Sequence, residues 1–402
     1  MQYSRVKLGD ICEINLGKTP PRGVKKFWDV DHTSDMVWVS IADMNNLQDG
    51  KIFDSKEYIT SQAISECGIP FVEPETLLLS FKLTLGRTAV AGRRLCTNEA
   101  IAALPIRDAY KSKIDLLYLK TYFDFFDWDA YASADEKILG KTLNKKKLYV
   151  VPIILPPLSV QQEIVARLEK ELAKVDEMAD AFKRMAELAD EEFKAILSET
   201  FEHVEGKSVK LGELCNQINV GIVIKPSRYY VDDQTLGIPA FRNLNVKVGY
   251  VDTSEFVYLC EQAKKDNPRC ILHTGDVVVA RSGMPGTSVA IDSNYNNYMA
   301  IDILILSPNQ TKIYPQYLSW AINSPQAQKI IKTMNNGSAQ THVGVTSISK
   351  LMIKLPVLSV QESNINNIST AMERRDNIKH EANHGLLLCS ELRKSILQEA
   401  FA

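Results

Sequence analysis

The sequence predicts an α/β (α+β) chain: two globular mixed α/β domains separated by two long antiparallel coiled-coil helices, forming a pseudo-two-fold internal repeat. Three observations carry this. Residues 159–203 contain neither Pro nor Gly, and Leu168, Leu172, Val175, Ala179, Phe182, Ala186, Ala189, Phe193 and Ile196 follow at alternating steps of four and three. That is the 3.5-residue period of a coiled-coil seam. Leu155-Pro-Pro-Leu-Ser-Val-Gln-Gln recurs 200 positions later as Leu355-Pro-Val-Leu-Ser-Val-Gln-Glu, and Ile196-Leu-Ser-Glu-Thr-Phe recurs at the same offset as Ile396-Leu-Gln-Glu-Ala-Phe. Between these blocks lie short aliphatic and β-branched runs bounded by turn residues, mixed with helical segments.

In chain order, residues 1–157 make the first globule, with strands expected at 36–41, 76–81, 88–91 and 100–104 and a helix at 114–126. Residues 158–206 make the first long helix. Ser159 and Gln162 fit an N-terminal capping box, and Pro156 and Pro157 prevent an earlier start. Such a helix spans ~65 Å at ~1.5 Å per residue, and it cannot bury its apolar stripe without a partner. Residues 207–357 make the second globule, with strands at 237–241, 276–281, 288–291 and 301–306 and a helix at 315–332. Residues 358–402 make the second long helix, with Ser359 and Glu362 as its capping box.

The second helix carries Ile365, Ile368, Met372, Ala382, Leu386, Cys389, Leu392 and Ile396 as its stripe. Its middle reads as weaker, because Arg375 and Lys379 fall where the seam calls for apolar residues and Gly385 loosens the turn. The helix-pair interface is therefore expected to hold Leu168, Leu172, Val175, Phe182, Phe193 and Ile196 against Ile368, Met372, Leu386, Leu392 and Ile396.

The repeat extends into the globules. Lys7-Leu-Gly-Asp-Ile-Cys returns as Lys210-Leu-Gly-Glu-Leu-Cys, and Trp38-Val-Ser-Ile-Ala-Asp aligns with Ala240-Phe-Arg-Asn-Leu-Asn. The run 77–86 aligns with 277–286, and Glu99-Ala-Ile with Met299-Ala-Ile. Framework pieces match while the segments between them differ, as expected of two similar readers with different targets.

A chain of 402 residues holds two or more domains, and 45% hydrophobic with 24% charged residues is ordinary for a soluble protein. No apolar run reaches the about 18 residues that would suggest a membrane span, and residues 1–10 lack an apolar core of the signal-peptide kind. Seven scattered cysteines without CxxC fit a reducing, cytoplasmic setting. Net charge is −2, unevenly spread: 158–206 carries 6 Lys/Arg against 13 Asp/Glu, whereas 207–357 carries 15 against 10. A polyanion would be drawn to the globules and repelled by the first helix, although an acidic helix face is also simply a well-solvated one.

Catalytic signatures fail one by one. His380-Glu-Ala-Asn-His384 matches HExxH, which puts two imidazoles on one helix face with Glu381 as base. It falls inside a coiled-coil helix with 18 residues left for a third ligand and a cleft. Gly17-Lys-Thr and Gly140-Lys-Thr end like a phosphate loop, but Cys12 and Asp135 stand where the first glycine belongs. What remains is basic and polar loop chemistry. Lys and Arg neutralise phosphates, and Arg, Asn and Gln also read base edges. In the first globule the DNA-binding candidates are Lys18, Arg22, Lys25, Lys26, Lys82 and Arg87, then Arg93, Lys141, Asn144 and Lys145. In the second they are Arg228, Tyr229, Arg242, Asn243 and Arg281, then Ser282, Gln340 and His342. Each alone is an ordinary surface residue; the set gains meaning because members fall at matching places of the repeat.

With these residues in view, the chain resembles the DNA-specificity subunits of type I restriction-modification systems. The carrying residues are Lys7-Leu-Gly-Asp-Ile with Gly17-Lys-Thr-Pro, and Leu155-Pro-Pro-Leu-Ser-Val-Gln-Gln-Glu-Ile with its second copy. The resemblance covers essentially the whole chain, with Leu355-Pro-Val-Leu and 222–226 departing from the first copy. It implies two target-recognition domains, each reading one half of a bipartite double-stranded DNA target, and two long helices that act as spacer. It also implies docking of two modification (methyltransferase) subunits and of restriction (translocase/nuclease) subunits. S-adenosylmethionine, ATP and magnesium would then sit on those partners, with no cofactor, metal or catalytic residue in this chain. The competing expectation is a coiled-coil adaptor that presents two globules to protein partners without DNA.

Overall fold

The central strands of this chain form where aliphatic runs are covered on both faces. The computed structural model describes residues 3–133, 143–232, 235–334 and 342–401. Two units divide the chain, 1–180 with 387–402 and 181–386. Each holds one globule together with one end of each long helix.

In the first unit, Ser4–Lys7 pairs antiparallel with Pro152–Leu155, tying the two ends of the globule together. A five-stranded sheet runs Asn15–Leu16, Ile101–Leu104, Leu77–Ser80, Thr88–Ala91, Lys51–Ile52. A three-stranded sheet runs Glu57–Tyr58, Val37–Val39, Cys96–Thr97. Leu77–Ser80 is buried throughout because alternate residues serve two cores. Leu77 and Leu79 pack with Tyr118, Tyr122 and Phe123 of helix Leu116–Phe125, while Leu78 packs with Val37 and Val39. This is the continuous apolar pattern of a strand covered on both sides.

The second unit repeats the plan. Lys207–Lys210 pairs with Met352–Leu355. One sheet runs Cys215–Val220, Ile303–Pro308, Val277–Ala280, Ser288–Ala290, and the other Tyr230–Val231, Val257–Leu259, Ile238–Phe241, Met299–Ala300. The mixed α/β class and the repeat are thus as the sequence predicts, but one alignment is corrected. Cys96 pairs with Trp38 as Met299 pairs with Ala240, so Met299 corresponds to Cys96 and not to Glu99. The offset drifts between segments, and strand register identifies the counterpart where short sequence matches cannot. The expected 315–332 helix is two, Pro315–Asn323 and Pro325–Met334. Pro325 cannot donate, and it forces Ser324 out of helical geometry.

The long helices are Leu158–Glu202 and Leu358–Phe401, each starting one residue before the expected cap. Capping boxes at Ser159/Gln162 and Ser359/Glu362 are not what begins them. The start is fixed by the preceding glutamine of each repeat, which is fully buried. Gln161 Nε2 donates to Pro156 O and Lys113 O, both at 2.8 Å, and its Oε1 accepts from Asp115 N at 2.9 Å. Gln361 does the same with Pro356 O, Lys312 O and Tyr314 N at 2.9, 3.0 and 2.9 Å. One side chain thereby locks the helix start to the segment entering the globule's own helix.

Within each unit the two helix segments run antiparallel. In the first, Arg393 meets Asp176 at 2.6 Å, and Phe401 packs into the core that holds Val165. In the second, Lys379 meets Asp190 at 2.7 Å and Arg374 meets Glu192 at 3.3 Å. Of the expected interface, Leu168, Val175, Phe193 and Ile368 are buried; Leu172, Phe182, Ile196, Met372, Leu386 and Ile396 are half-buried. Leu392 is 43% exposed and is corrected out of the seam. Toward their C-termini both helices leave the 3.5-residue pattern. Ala189, Phe193, Leu197 and Phe201 are all buried at steps of four, and in the second helix Cys389 and Leu397 are buried eight apart, with exposed Arg393 between them. There the helix packs on its globule as well as on its partner, so the wider stripe of an ordinary α-helix replaces the narrow seam.

The middle of the second helix is not simply a weak seam. Arg375 lies 4.6 Å over the Phe193 ring and 3.9 Å from Asp190, which Lys379 also holds. Gly385 has its own reason: a Cβ there would overlap the ring of Phe182.

Candidate nucleic-acid interface

In the first unit the turn 17–22 lies against residues 97–99. Gly17 is required, since a Cβ would overlap the carbonyl oxygens of Thr97 and Asn98. Lys18 N donates to Thr97 O at 2.8 Å, and Trp38 Nε1 donates to Lys18 O at 3.1 Å. The Thr19 hydroxyl donates to Glu99, and Lys82 and Arg22 add positive charge nearby. Together these hold the Glu99 carboxyl below its usual range, the Thr19 bond contributing most. Lys82 is half-buried beside the Phe81 ring, and the Arg87 guanidinium reaches Ile41 O at 3.4 Å.

Several candidate cations already have carboxylate partners. Arg22 lies 4.1 Å over Trp28 and 4.9 Å over Trp38 and forks onto Glu57, with Nη2 to Oε2 at 3.1 Å. Lys26 pairs with Glu66 at 2.6 Å, Arg93 with Asp35, and the Lys18 ammonium donates to Cys67 O. Lys25, Asn144 and Lys145 are exposed. Asn144 caps the short helix Lys145–Tyr149 by accepting from Lys147 N at 3.0 Å. Lys141 lies outside the described residues.

In the second unit the turn 221–226 takes the place of 17–22. Gly221 is again required, now by Ala300 O, and Ile222 N donates to Ala300 O at 2.8 Å. Asn243 organises what lies beside it. Its Oδ1 accepts from Arg281 N at 2.6 Å and Ser282 N at 3.1 Å, and its Nδ2 donates to Asp302 O at 3.0 Å. Arg281 pairs with Asp302 at 2.6 Å and donates through Nε to Val343 O at 3.2 Å. Arg242 reaches Glu255 O at 3.2 Å. Arg228 stacks 4.5 Å over Tyr229. Tyr229 itself is 4% exposed, its hydroxyl donating to Asp266 at 2.8 Å, so it supports the turn from within. His342 is exposed, and Gln340 lies outside the described residues.

The two arrangements share a frame. Ser40 N donates to buried Asp43 at 2.9 Å as Arg242 N donates to buried Asn245 at 2.8 Å. Leu143 N donates to Phe81 O at 2.9 Å as Val343 N donates to Arg281 O at 3.1 Å. Gly86 N donates to Ser80 O at 3.0 Å as Gly286 N donates to Ala280 O at 2.9 Å. Asp43, Asn245, Glu99 and Asp302 were absent from the sequence-based candidates. The pair Asp43/Asn245 was visible as matching positions of the repeat, whereas Glu99 and Asp302 carried no signal of their own.

Among the described residues there is no cluster of three or more His, Cys, Asp or Glu suited to a metal, and His380 and His384 are exposed. No described helix is long and apolar enough to cross a membrane. Burial pushes the Cys12, Cys96 and Cys215 thiols up to about 12, so these cysteines serve packing rather than nucleophilic chemistry.

Comparison with known proteins gives a consistent answer. The family model described as "Type I restriction modification DNA specificity domain" matches residues 2–178 and again 204–386. The chain is 22% identical over 271 residues to the type I restriction enzyme EcoKI specificity subunit of Escherichia coli K12, covering 63% of this chain and 57% of that protein. It is 24% identical over 300 residues to the MjaIX specificity subunit of Methanocaldococcus jannaschii, covering 69% and 65%. The matches thus span less than two thirds of either relative. A chain from a structure described as "Structural basis underlying complex assembly and conformational transition of the type I R-M system" shares the fold, with TM-score 0.75 and 16% identity over 100% of this chain and 97% of that one. The HsdS subunit from Thermoanaerobacter tengcongensis gives a TM-score of 0.56 at 16% identity, covering 100% and 96%.

Proposed function

Because the chain belongs to the type I restriction modification DNA specificity family, we propose that it is the non-catalytic, sequence-reading subunit of such a system. Each unit reads one half of a bipartite duplex target. The observation that supports this is one loop frame built twice with different side chains. The position bonded to residue 143 or 343 is Phe81 in one unit and Arg281 in the other. Ile41, whose carbonyl takes the Arg87 guanidinium, has as its counterpart Asn243, which pins the next loop. Equal frames place side chains at equal positions on DNA, and unequal side chains select different bases. The target is therefore asymmetric.

The long helices serve as the spacer and as the docking surface for two modification subunits and for restriction subunits. S-adenosylmethionine, ATP and magnesium belong to those partners. Two modest half-site affinities act as one strong one through effective concentration.

Enrichment from a random duplex pool, with modification subunits present, tests this reading. A split motif with unlike halves is expected. Affinity for it should fall with salt at about 0.9 log units per log unit of salt for each phosphate contacted. No enriched motif together with a flat salt response would instead point to a protein-binding adaptor.

A further inference from the structure

Resting on the DNA-reading function above, we infer that Leu83 is an apolar wedge that enters the base stack of the first half-site. Leu83 is 80% exposed, and its backbone sits at φ +65°. That left-handed conformation is sterically costly for a bulky side chain, and nothing in the fold compensates by burying it. Such strain, retained at an exposed apolar residue, is the mark of a site shaped for a contact outside the chain.

The base of the loop is held firmly. Gly86 lies so close to the buried Trp128 ring that a Cβ would overlap it, and Thr84 O accepts from Ser80 Oγ at 2.6 Å. Leu83 therefore projects from a rigid support. Its chain neighbour Lys82 lies close enough to Glu99 of the Thr19–Glu99–Arg22 group to help hold that carboxyl below its usual range, so the tip rises beside positive charge.

The second copy uses the same device differently. Gly283, at the position of Leu83, takes φ +72°, and the next residue, Met284, is 66% exposed. Met284 N donates to Ser282 O at 2.9 Å as Thr84 N donates to Lys82 O at 2.7 Å. Both tips offer a flexible or branched aliphatic group of the kind that unstacks base steps when a duplex is kinked. Glycine at 283 also shows that this backbone is made without any side chain. Leu83 is thus dispensable for the loop's shape.

The experiment uses the full chain assembled with its modification subunits and the split motif enriched by the parent. 2-Aminopurine is placed in turn at each position of the half-site assigned to the first unit. The parent complex should brighten at one step, as a base loses its stacking neighbour. Leu83→Gly should abolish that signal and weaken binding at least tenfold, with an unchanged salt slope and a Tm no lower than the parent's. Three results would overturn the wedge: no brightening at any position, affinity within twofold of the parent, or loss of subunit assembly with DNA affinity intact. If the affinity loss is reproduced by uracil in place of one thymine, without brightening, Leu83 reads a methyl group and the wedge is wrong. Failure of the parent to enrich any motif would instead reject the DNA-reading function itself.

Discussion

Gln161→Leu is expected to destabilise the first unit by about 3 kcal/mol or more. The change keeps bulk but orphans the buried Pro156 C=O and the part-buried Asp115 N–H and Lys113 C=O. Each such group costs about 1–3 kcal/mol. Gln361→Leu should act alike in the second unit, on Tyr314 N–H, Lys312 C=O and Pro356 C=O. Urea unfolding with a probe in each unit measures both effects. Gln161→Glu separates hydrogen bonding from size. A carboxylate there still accepts from Asp115 N–H but faces two carbonyl oxygens, so its folded pKa is raised above the ordinary value near about 4.3. The protonated form binds better, so the variant's stability is greatest below the unfolded pKa and falls as pH rises through the folded one. A loss under about 1 kcal/mol for Gln161→Leu, or a Glu variant indifferent to pH, would show that the lock carries little.

Phe193→Ala should cost about 3–5 kcal/mol, the range for emptying a buried aromatic site. Phe193 packs 6.0 Å from Trp320 and lies beneath Arg375. The loss therefore includes a cation–π contact and leaves a half-buried guanidinium against a void. Leu392→Ala is the control. Its side chain is 43% exposed, so it should shift stability by no more than about 0.5 kcal/mol. The strict 3.5-residue seam predicts similar penalties for the two, whereas the observed shift to steps of four predicts a large gap.

What was legible in the sequence follows from which forces are local. The helices and central strands were readable because their apolar periodicity is a property of neighbouring residues. The repeat was readable because its framework words, such as Leu-Pro-x-Leu-Ser-Val-Gln, survive in both halves. Gln161 and Gln361 stand in that repeated block, but their role was hidden, because a polar residue beside a helix start reads as surface and their partners in the globule lie 46–49 residues away. The candidate cations were found by type, but not their states. Glu57, Glu66 and Asp35 pair with Arg22, Lys26 and Arg93 across 35, 40 and 58 residues, and no local pattern announces such pairs. That Met299 is the counterpart of Cys96 could be read only from strand pairing.

Domain exchange tests the central claim most directly. Residues 1–157 are replaced by the corresponding stretch of a family member with a different enriched motif, and the hybrid's target is selected from the same random pool. Independent reading by two units predicts that one half of the motif changes to the donor's while the other half is retained. A hybrid whose two halves both change, or that enriches the original motif untouched, would contradict it.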